Sequence, residues 1–184
     1  MNIQEKYKKE IVPAMMKKFG YKSIMAVPVI KKVVINTGLG KILAVKTSQE
    51  QKDAIERISS DFSQITGQKA TICHAKKSIA AFKVRQGMPL GMKVTLRGKR
   101  MYDFLSRLIS IVLPRSRDFR GIDQKVIDRK GNLSLGIKEH TIFPEILAEN
   151  VRQVFGLEVI VATSAKTKEE GLEFFKLLGF PFKK

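Results

Sequence analysis

The chain has 184 residues, with 35 Lys and Arg against 17 Asp and Glu, a formal charge of +18 and a pI near 10.1. With 43% hydrophobic residues and a mean hydropathy of −0.11 it is too apolar for a disordered basic tail, and a chain of this length buries roughly 70% of its unfolded surface, enough for one core or two small lobes. A lone cysteine, Cys73, excludes an intramolecular disulfide and fits a reducing cytosol, the charged start (Lys6, Lys8, Lys9, Glu10) is not a signal peptide, and no stretch approaches the ~20 apolar residues of a membrane span.

Ile3, Tyr7, Ile11, Met15 and Phe19 recur every four residues, which predicts an amphipathic helix over 2–19 ended by Gly20, with a kink or break near Val12 imposed by Pro13. The β-branched run Val29–Ile35 predicts a strand closed by a turn over Asn36–Gly40. Ser48 with Gln51 predicts a capping box for a helix bearing Ile55, Ile58, Phe62 and Ile65, with Gly67 just past its end. Gln68–Cys73 reads as a short strand. Phe82–Arg85 and Met92–Arg97 alternate apolar with polar residues around a turn at Gly87–Gly91, predicting a hairpin. Side chains two apart share a face, so Phe82, Val84, Met92, Val94 and Leu96 would be dry, and Lys83, Arg85, Lys93, Thr95 and Arg97 would face out. A helix with Met101, Phe104, Leu105, Leu108, Ile109 and Val112 buried should stop at Pro114, before a loop in which Arg115, Arg117 and Arg120 surround Phe119. Leu133–Ile137 and Leu157–Thr163 predict two more strands, and Thr167 with Glu170 caps a last helix running to Gly179. With no repeat and no linker, the expectation is one α+β domain over 1–184, with a basic sheet region over 29–98.

Charge placement carries the functional reading. The 41 residues between Asp61 and Asp103 hold no carboxylate and nine fixed cations: Lys69, Lys76, Lys77, Lys83, Arg85, Lys93, Arg97, Lys99 and Arg100. Like charges left unpaired destabilise a compact state, and a polyanion relieves them, with counterion release adding to the attraction. A sheet dry on one face and cationic on the other is one way of meeting RNA. The bland alternative is a merely solubilising face. Phe119 either packs under the sheet or meets a partner.

Catalytic chemistry is missing. Cys73, His74 and distant His140 cannot make a zinc site. Gly38-Leu39-Gly40-Lys41 lacks the spacing and the hydroxyl residue of a phosphate loop, and no nucleophile elbow or paired carboxylates stand out. The expectation is no enzyme, no metal and no cofactor. A DNA-binding architectural protein would need a recognition helix or an apolar wedge, and Arg100 and Arg107 are too sparse for the former.

Seven segments in order resemble the bacterial-type large-subunit ribosomal protein family, fifth in its series, that binds 5S rRNA. They are Gln64–Lys69, Ala75–Ala80, Lys83–Pro89 with Gly91, Lys93–Gly98, Arg117–Gly121, Ile142–Ile146 and Gly179–Phe182, and the resemblance runs to Lys184. The chain departs from the family pattern at Ile127–Asn132, Asn36–Gly40, Cys73-His74 and Phe155, where Arg is common, and the last two predict weakened contacts.

The resemblance implies a curved antiparallel sheet backed by helices, whose exposed face takes 5S rRNA at the central protuberance. It also implies contacts with 23S rRNA, with P-site tRNA and with a small-subunit head protein in an intersubunit bridge. Asn36, Gln68 and Thr95 match the family's polar rRNA positions, and Lys83, Arg85, Lys93, Arg97, Lys99 and Arg100 join them as rRNA-binding cations. Lys76, Lys77 and Ser78 match the tRNA-proximal loop, and Arg115, Arg117, Phe119 and Arg120 the bridge side, within 114–140. The implied place is a cytoplasmic or organellar ribosome, and the competing reading is a free-standing RNA chaperone or regulator on the same fold.

Overall fold

The computed structural model of the protein describes residues 3–43, 46–117, 119–147, 149 and 151–183. Five strands form an open antiparallel sheet: β1 (Ile30–Gly38), β2 (Thr71–His74), β3 (Pro89–Leu96), β4 (Leu133–Ile137) and β5 (Leu157–Thr163), in the order β2-β3-β1-β5-β4. Helices back it, so the α+β expectation holds. The helices are α1 (Ile3–Lys6, a π turn Tyr7–Ile11, then Val12–Phe19), α2 (Ser48–Thr66), α3 (Gly98–Arg107, a π turn Leu108–Val112, then Leu113–Arg115) and α4 (Lys168–Leu178).

Both prolines inside helices are met by the same device. A proline offers no N–H to the carbonyl four residues back, and a widened turn absorbs the mismatch. Val12 N–H reaches Tyr7 O ahead of Pro13, and Leu113 N–H reaches Leu108 O ahead of Pro114. The break expected near Val12 is therefore this π turn. The stop expected at Pro114 comes one residue later, at Arg115, because Pro114 fits the first turn of a short last segment.

The residues cluster into two compact units. The first takes residues 1–34, 96–135 and 159–184. Its core joins Ile11 and Met15 of α1, Met101, Phe104 and Leu105 of α3, and Phe174, Phe175 and Leu178 of α4. Edge-on aromatic contacts link Tyr7 to Phe174, Phe174 to Phe175 and Phe175 to Phe180 at 5.3–6.2 Å. Behind the start of α4, backbone meets backbone. A Cβ on Gly171 would lie 2.5 Å from the Cα of Gly131, which has φ +71°. Gly131 belongs to the divergent 127–132 segment, now a closed loop: Asp128 Oδ1 accepts from the amides of Lys130 and Asn132, and Asp128 Oδ2 from Asn132 Nδ2. Thr163 Oγ1 then donates to Gly131 O at 2.8 Å.

The second unit takes residues 35–95 and 136–158. Here α2 buries Ile58, Phe62 and Ile65 with Ile35, Met92, Val94 and Leu157 of the strands. The capping box of α2 uses Thr47 and Glu50, one residue earlier than expected, while Gln51 Nε2 donates to the carbonyls of Leu43 and Lys46. At the other end Gly67, with φ +66°, closes the helix as expected. Gly91 is required by closeness, since a Cβ there would meet Thr37 O at 2.5 Å.

Candidate nucleic-acid interface

Alternation in the second unit divides β1 and β3 cleanly. Ile35, Thr37, Met92 and Val94 are buried, and Asn36, Lys93 and Thr95 lie on the opposite face, Lys93 exposed and the other two partly. The antiparallel register sets exposed Thr71 of β2 opposite Lys93, placing both on that face. Glu158 of β5 is the acidic residue there, and its Oε2 accepts from Asn36 Nδ2 at 3.5 Å. Asn36 lies inside β1, which runs on to Gly38, rather than in the turn expected at Asn36–Gly40. Leu39 N–H bonds Leu90 O, so its amide is unavailable to a phosphate. Gln68 follows the α2 cap, with its backbone bonded to Thr66 Oγ1, and β2 begins three residues later, at Thr71.

The hairpin expected between Phe82–Arg85 and Met92–Arg97 is not formed. β3 has β2 on one edge and β1 on the other, leaving no free edge for a third partner. Residues 75–88 instead fold back on themselves as a narrow ribbon. Ala75 N–H bonds Met88 O, Gly87 N–H bonds Ala75 O, and Ile79 and Val84 exchange a pair of bonds. Ser78 Oγ accepts from Gln86 N–H, so Ser78 braces the ribbon. A 3-10 turn over Ala80–Phe82 and a left-handed Lys83 (φ +53°) make the tip. Phe82, expected in the core, is 75% exposed there. Lys76, Lys77, Lys83 and Arg85 are exposed along the ribbon, so Lys83 and Arg85 do not share the sheet face with Lys93.

In the first unit, Arg97 caps α3, and exposed Lys99 and Arg100 occupy a first turn that holds no acid. Cations at a helix N-terminus oppose the macrodipole, and the free N–H groups there favour an anion. Arg115, Arg117 and Arg120 are exposed, with Phe119 partly buried between them, and Asp118 lies outside the described residues. Gly121 (φ +95°) and Ile122 tie this loop to the tail, where Ile122 N–H bonds Pro181 O and Lys183 N–H bonds Ile122 O.

A further signal was available in the sequence. Residues 11–49 also lack carboxylates and carry Lys17, Lys18, Lys22, Lys31, Lys32, Lys41 and Lys46. Between 11 and 102, every acid therefore belongs to α2: Glu50, Asp53, Glu56 and Asp61. The outer side of α2 lines a cleft of about 680 Å³ with Arg57, Glu149 and Arg152, and no metal-holding group of acids, His or Cys occurs among the described residues. Beneath it His140 is buried, stacked on Phe155 at 3.9 Å, with Nδ1 accepting from Phe155 N–H and Nε2 3.7 Å from Asp61 Oδ2. Phe155, one of the divergent positions, is thus a core residue and offers no surface to RNA. His74 is exposed, with Nδ1 3.0 Å from Gly87 O.

Burial holds the His140 pKa below its ordinary 6.5, with Asp61 opposing, while burial raises Asp61 above 3.8 against the pull of His140. The folded state disfavours His140 protonation, so its contribution is complete above about 6.5 and declines as pH falls below that. Asp61 has the opposite sign: its folded form holds a proton more readily, which adds stability only on the acid side. We expect urea midpoints to drop between about pH 7.5 and 5.5 and the drop to shrink in His140→Phe. An equal drop in the variant would assign it elsewhere.

Comparison with known proteins completes the description. Residues 23–85 match the family model described as ribosomal protein L5, and residues 89–182 match the model of the C-terminus of the same ribosomal family. A protein of Halothermothrix orenii named large ribosomal subunit protein uL5 is 51% identical over 180 residues, covering 98% of this chain and 97% of its own. Its namesake in Alkaliphilus oremlandii is 50% identical over 182 residues, covering 99% and 98%.

Proposed function

The chain belongs to the uL5 family of large-subunit ribosomal proteins, and on that premise we propose that it holds 5S rRNA on the outer face of its strands. As a uL5 it is a constituent of the cytoplasmic ribosome and not an enzyme. The observation that carries the finer reading is the composition of that face in the second unit. Asn36, Thr71, Lys93 and Thr95 offer hydrogen bonds and one fixed cation, and the Glu158 carboxylate is already turned to the Asn36 amide. Neutral polar groups beside a fixed cation suit 2′-hydroxyls and phosphate oxygens. Gln68, whose side-chain amide has no protein partner among the described residues, extends the set, and Arg97, Lys99 and Arg100 supply phosphate contacts at α3.

The ribbon over 75–88 supports the tRNA reading by its form: Lys76, Lys77, Lys83 and Arg85 flank a Phe82 with nothing to bury it. Exposed aromatics beside cations stack on unpaired bases. Contacts with 23S rRNA, and of Arg115, Arg117, Phe119 and Arg120 with a small-subunit head protein, complete the proposal.

Thr95→Val tests the sheet face. It keeps the β-branched shape and removes the hydroxyl, so 5S rRNA binding should weaken by about 1–3 kcal/mol while binding to unrelated duplex RNA barely changes. Equal losses for both RNAs would make Thr95 a folding residue and remove it from the interface.

A further inference from the structure

The turn that precedes β1 places large apolar side chains in water without any need of the fold. Met25 is 91% exposed and Ile24 63%, both on a 3-10 turn over Ile24–Ala26. Single exposed apolar residues are ordinary, but two adjacent ones on a fixed support are a contact surface in search of a partner. The support is fixed at both ends. Ser23 Oγ accepts from Met25 N–H, Ala26 N–H bonds Ser23 O, and Val27 and Pro28 are buried. Beyond them Val29 N–H bonds Ser164 Oγ, and Ser164 N–H returns to Val29 O, both at 2.9 Å.

Charge selects the partner. Lys22 and Lys31 flank the turn in the chain, exposed, within the 39 residues (11–49) that contain no carboxylate. Lys166, two residues past the Ser164 anchor, is exposed as well. Two of the three carboxylates of α4 are engaged, Glu170 accepting from Lys166 N–H and Glu173 pairing with Lys18 at 2.7 Å, and the third, Glu169, is exposed. An apolar tip with exposed lysines on either side of it in the chain fits a polyanion with unstacked, apolar-faced bases, and it repels a basic protein partner.

We propose that Ile24 and Met25 form an apolar wedge on which an unstacked rRNA base rests, with Lys22, Lys31 and Lys166 on the neighbouring phosphates. The inference rests on the chain's place in the ribosome and on its binding RNA, and not on the assignment of 5S rRNA to the sheet face. Side chains of this kind unstack or cover bases at nucleic-acid surfaces, and a thioether adapts to an irregular contact.

The test places the photo-crosslinker p-benzoylphenylalanine at position 25 in cells and irradiates purified large subunits. An adduct at one or two rRNA positions is expected; an adduct to protein alone, or none, overturns the wedge. In parallel, the double variant Ile24→Ser with Met25→Ser should bind rRNA about tenfold more weakly with an unchanged salt slope, whereas Lys22→Gln with Lys31→Gln should flatten the slope. Both changes are on the surface and should fold normally. Thr95→Val separates the two readings. If it leaves 5S rRNA binding intact while position 25 still crosslinks to RNA, the sheet-face assignment fails alone. If it weakens 5S rRNA binding while position 25 yields no RNA adduct, the wedge fails alone.

Discussion

Replacing Lys93, Arg97, Lys99 and Arg100 together with Ala is expected to reduce the slope of log K against log salt for 5S rRNA by roughly 3. Each lost phosphate contact removes about 0.7–0.9, depending on whether the RNA behaves as a single strand or a duplex. All four residues are exposed, so each change should alter folding by within about 0.5 kcal/mol. Three of them crowd the N-terminus of α3, where positive charge opposes the helix dipole. Their removal should leave the thermal midpoint of the free protein unchanged or raise it. Affinity falling while stability holds or rises is the mark of cations kept for a partner. The companion pair Lys83→Ala and Arg85→Ala lies on the ribbon and should leave the 5S slope as it is. An unaltered slope in the quadruple variant would leave these four cations a solubilising role only.

Gly171→Ala should be strongly destabilising. Its Cβ would fall 2.5 Å from Gly131 Cα and 2.8 Å from Gly131 O, and neither backbone atom can swing away as a side-chain end could. The loop cannot retreat either, because Thr163 Oγ1 holds Gly131 O and Thr163 N–H holds Asn132 Oδ1. Overpacking of this kind costs about 3 kcal/mol or more, which for a chain of this size lowers the melting temperature by about 6–12 °C. Gly136→Ala is the control: it is an exposed position of β4 with nothing within 4 Å of its would-be Cβ, and should cost less than about 0.5 kcal/mol. Equal melting temperatures for the two variants would mean that the 127–132 loop yields freely.

Much of this architecture was legible in residue order, and the exceptions have physical causes. Leu157–Thr163 was read to the residue because its alternation and its bounding turns agree. Phe82–Arg85 alternates just as well, yet alternation reports only which way side chains would point if a partner strand existed. β3 had already given both edges to β1 and β2, so that segment closed on itself. The cap of α2 went to Thr47 because Glu50 can reach back to its N–H, while Gln51, the partner expected for Ser48, is drawn to the Leu43 and Lys46 carbonyls. Pro114 marks the end of α3 to within one residue, and what its missing donor did not announce is the π turn ahead of it. At the interface, the parity of Lys93 and Thr95 was correct from spacing alone. The separate siting of Lys83 and Arg85 was not, since it depends on a left-handed residue that nothing in a Lys announces.

The sorting of acids in the second unit has a kinetic consequence. The four acids Glu50, Asp53, Glu56 and Asp61 lie on α2, which packs on the dry side of the strands, while Lys76, Lys77, Lys83 and Arg85 gather on the carboxylate-free ribbon. Separated charge of this kind gives the unit an electric moment with its positive end at the ribbon. In the field of a polyanion such a body feels a torque as well as a pull, and it turns its cationic side forward before any atom touches. Fewer encounters then begin with the wrong side presented, and the advantage fades as added salt shortens the reach of the field to about 8 Å at physiological strength.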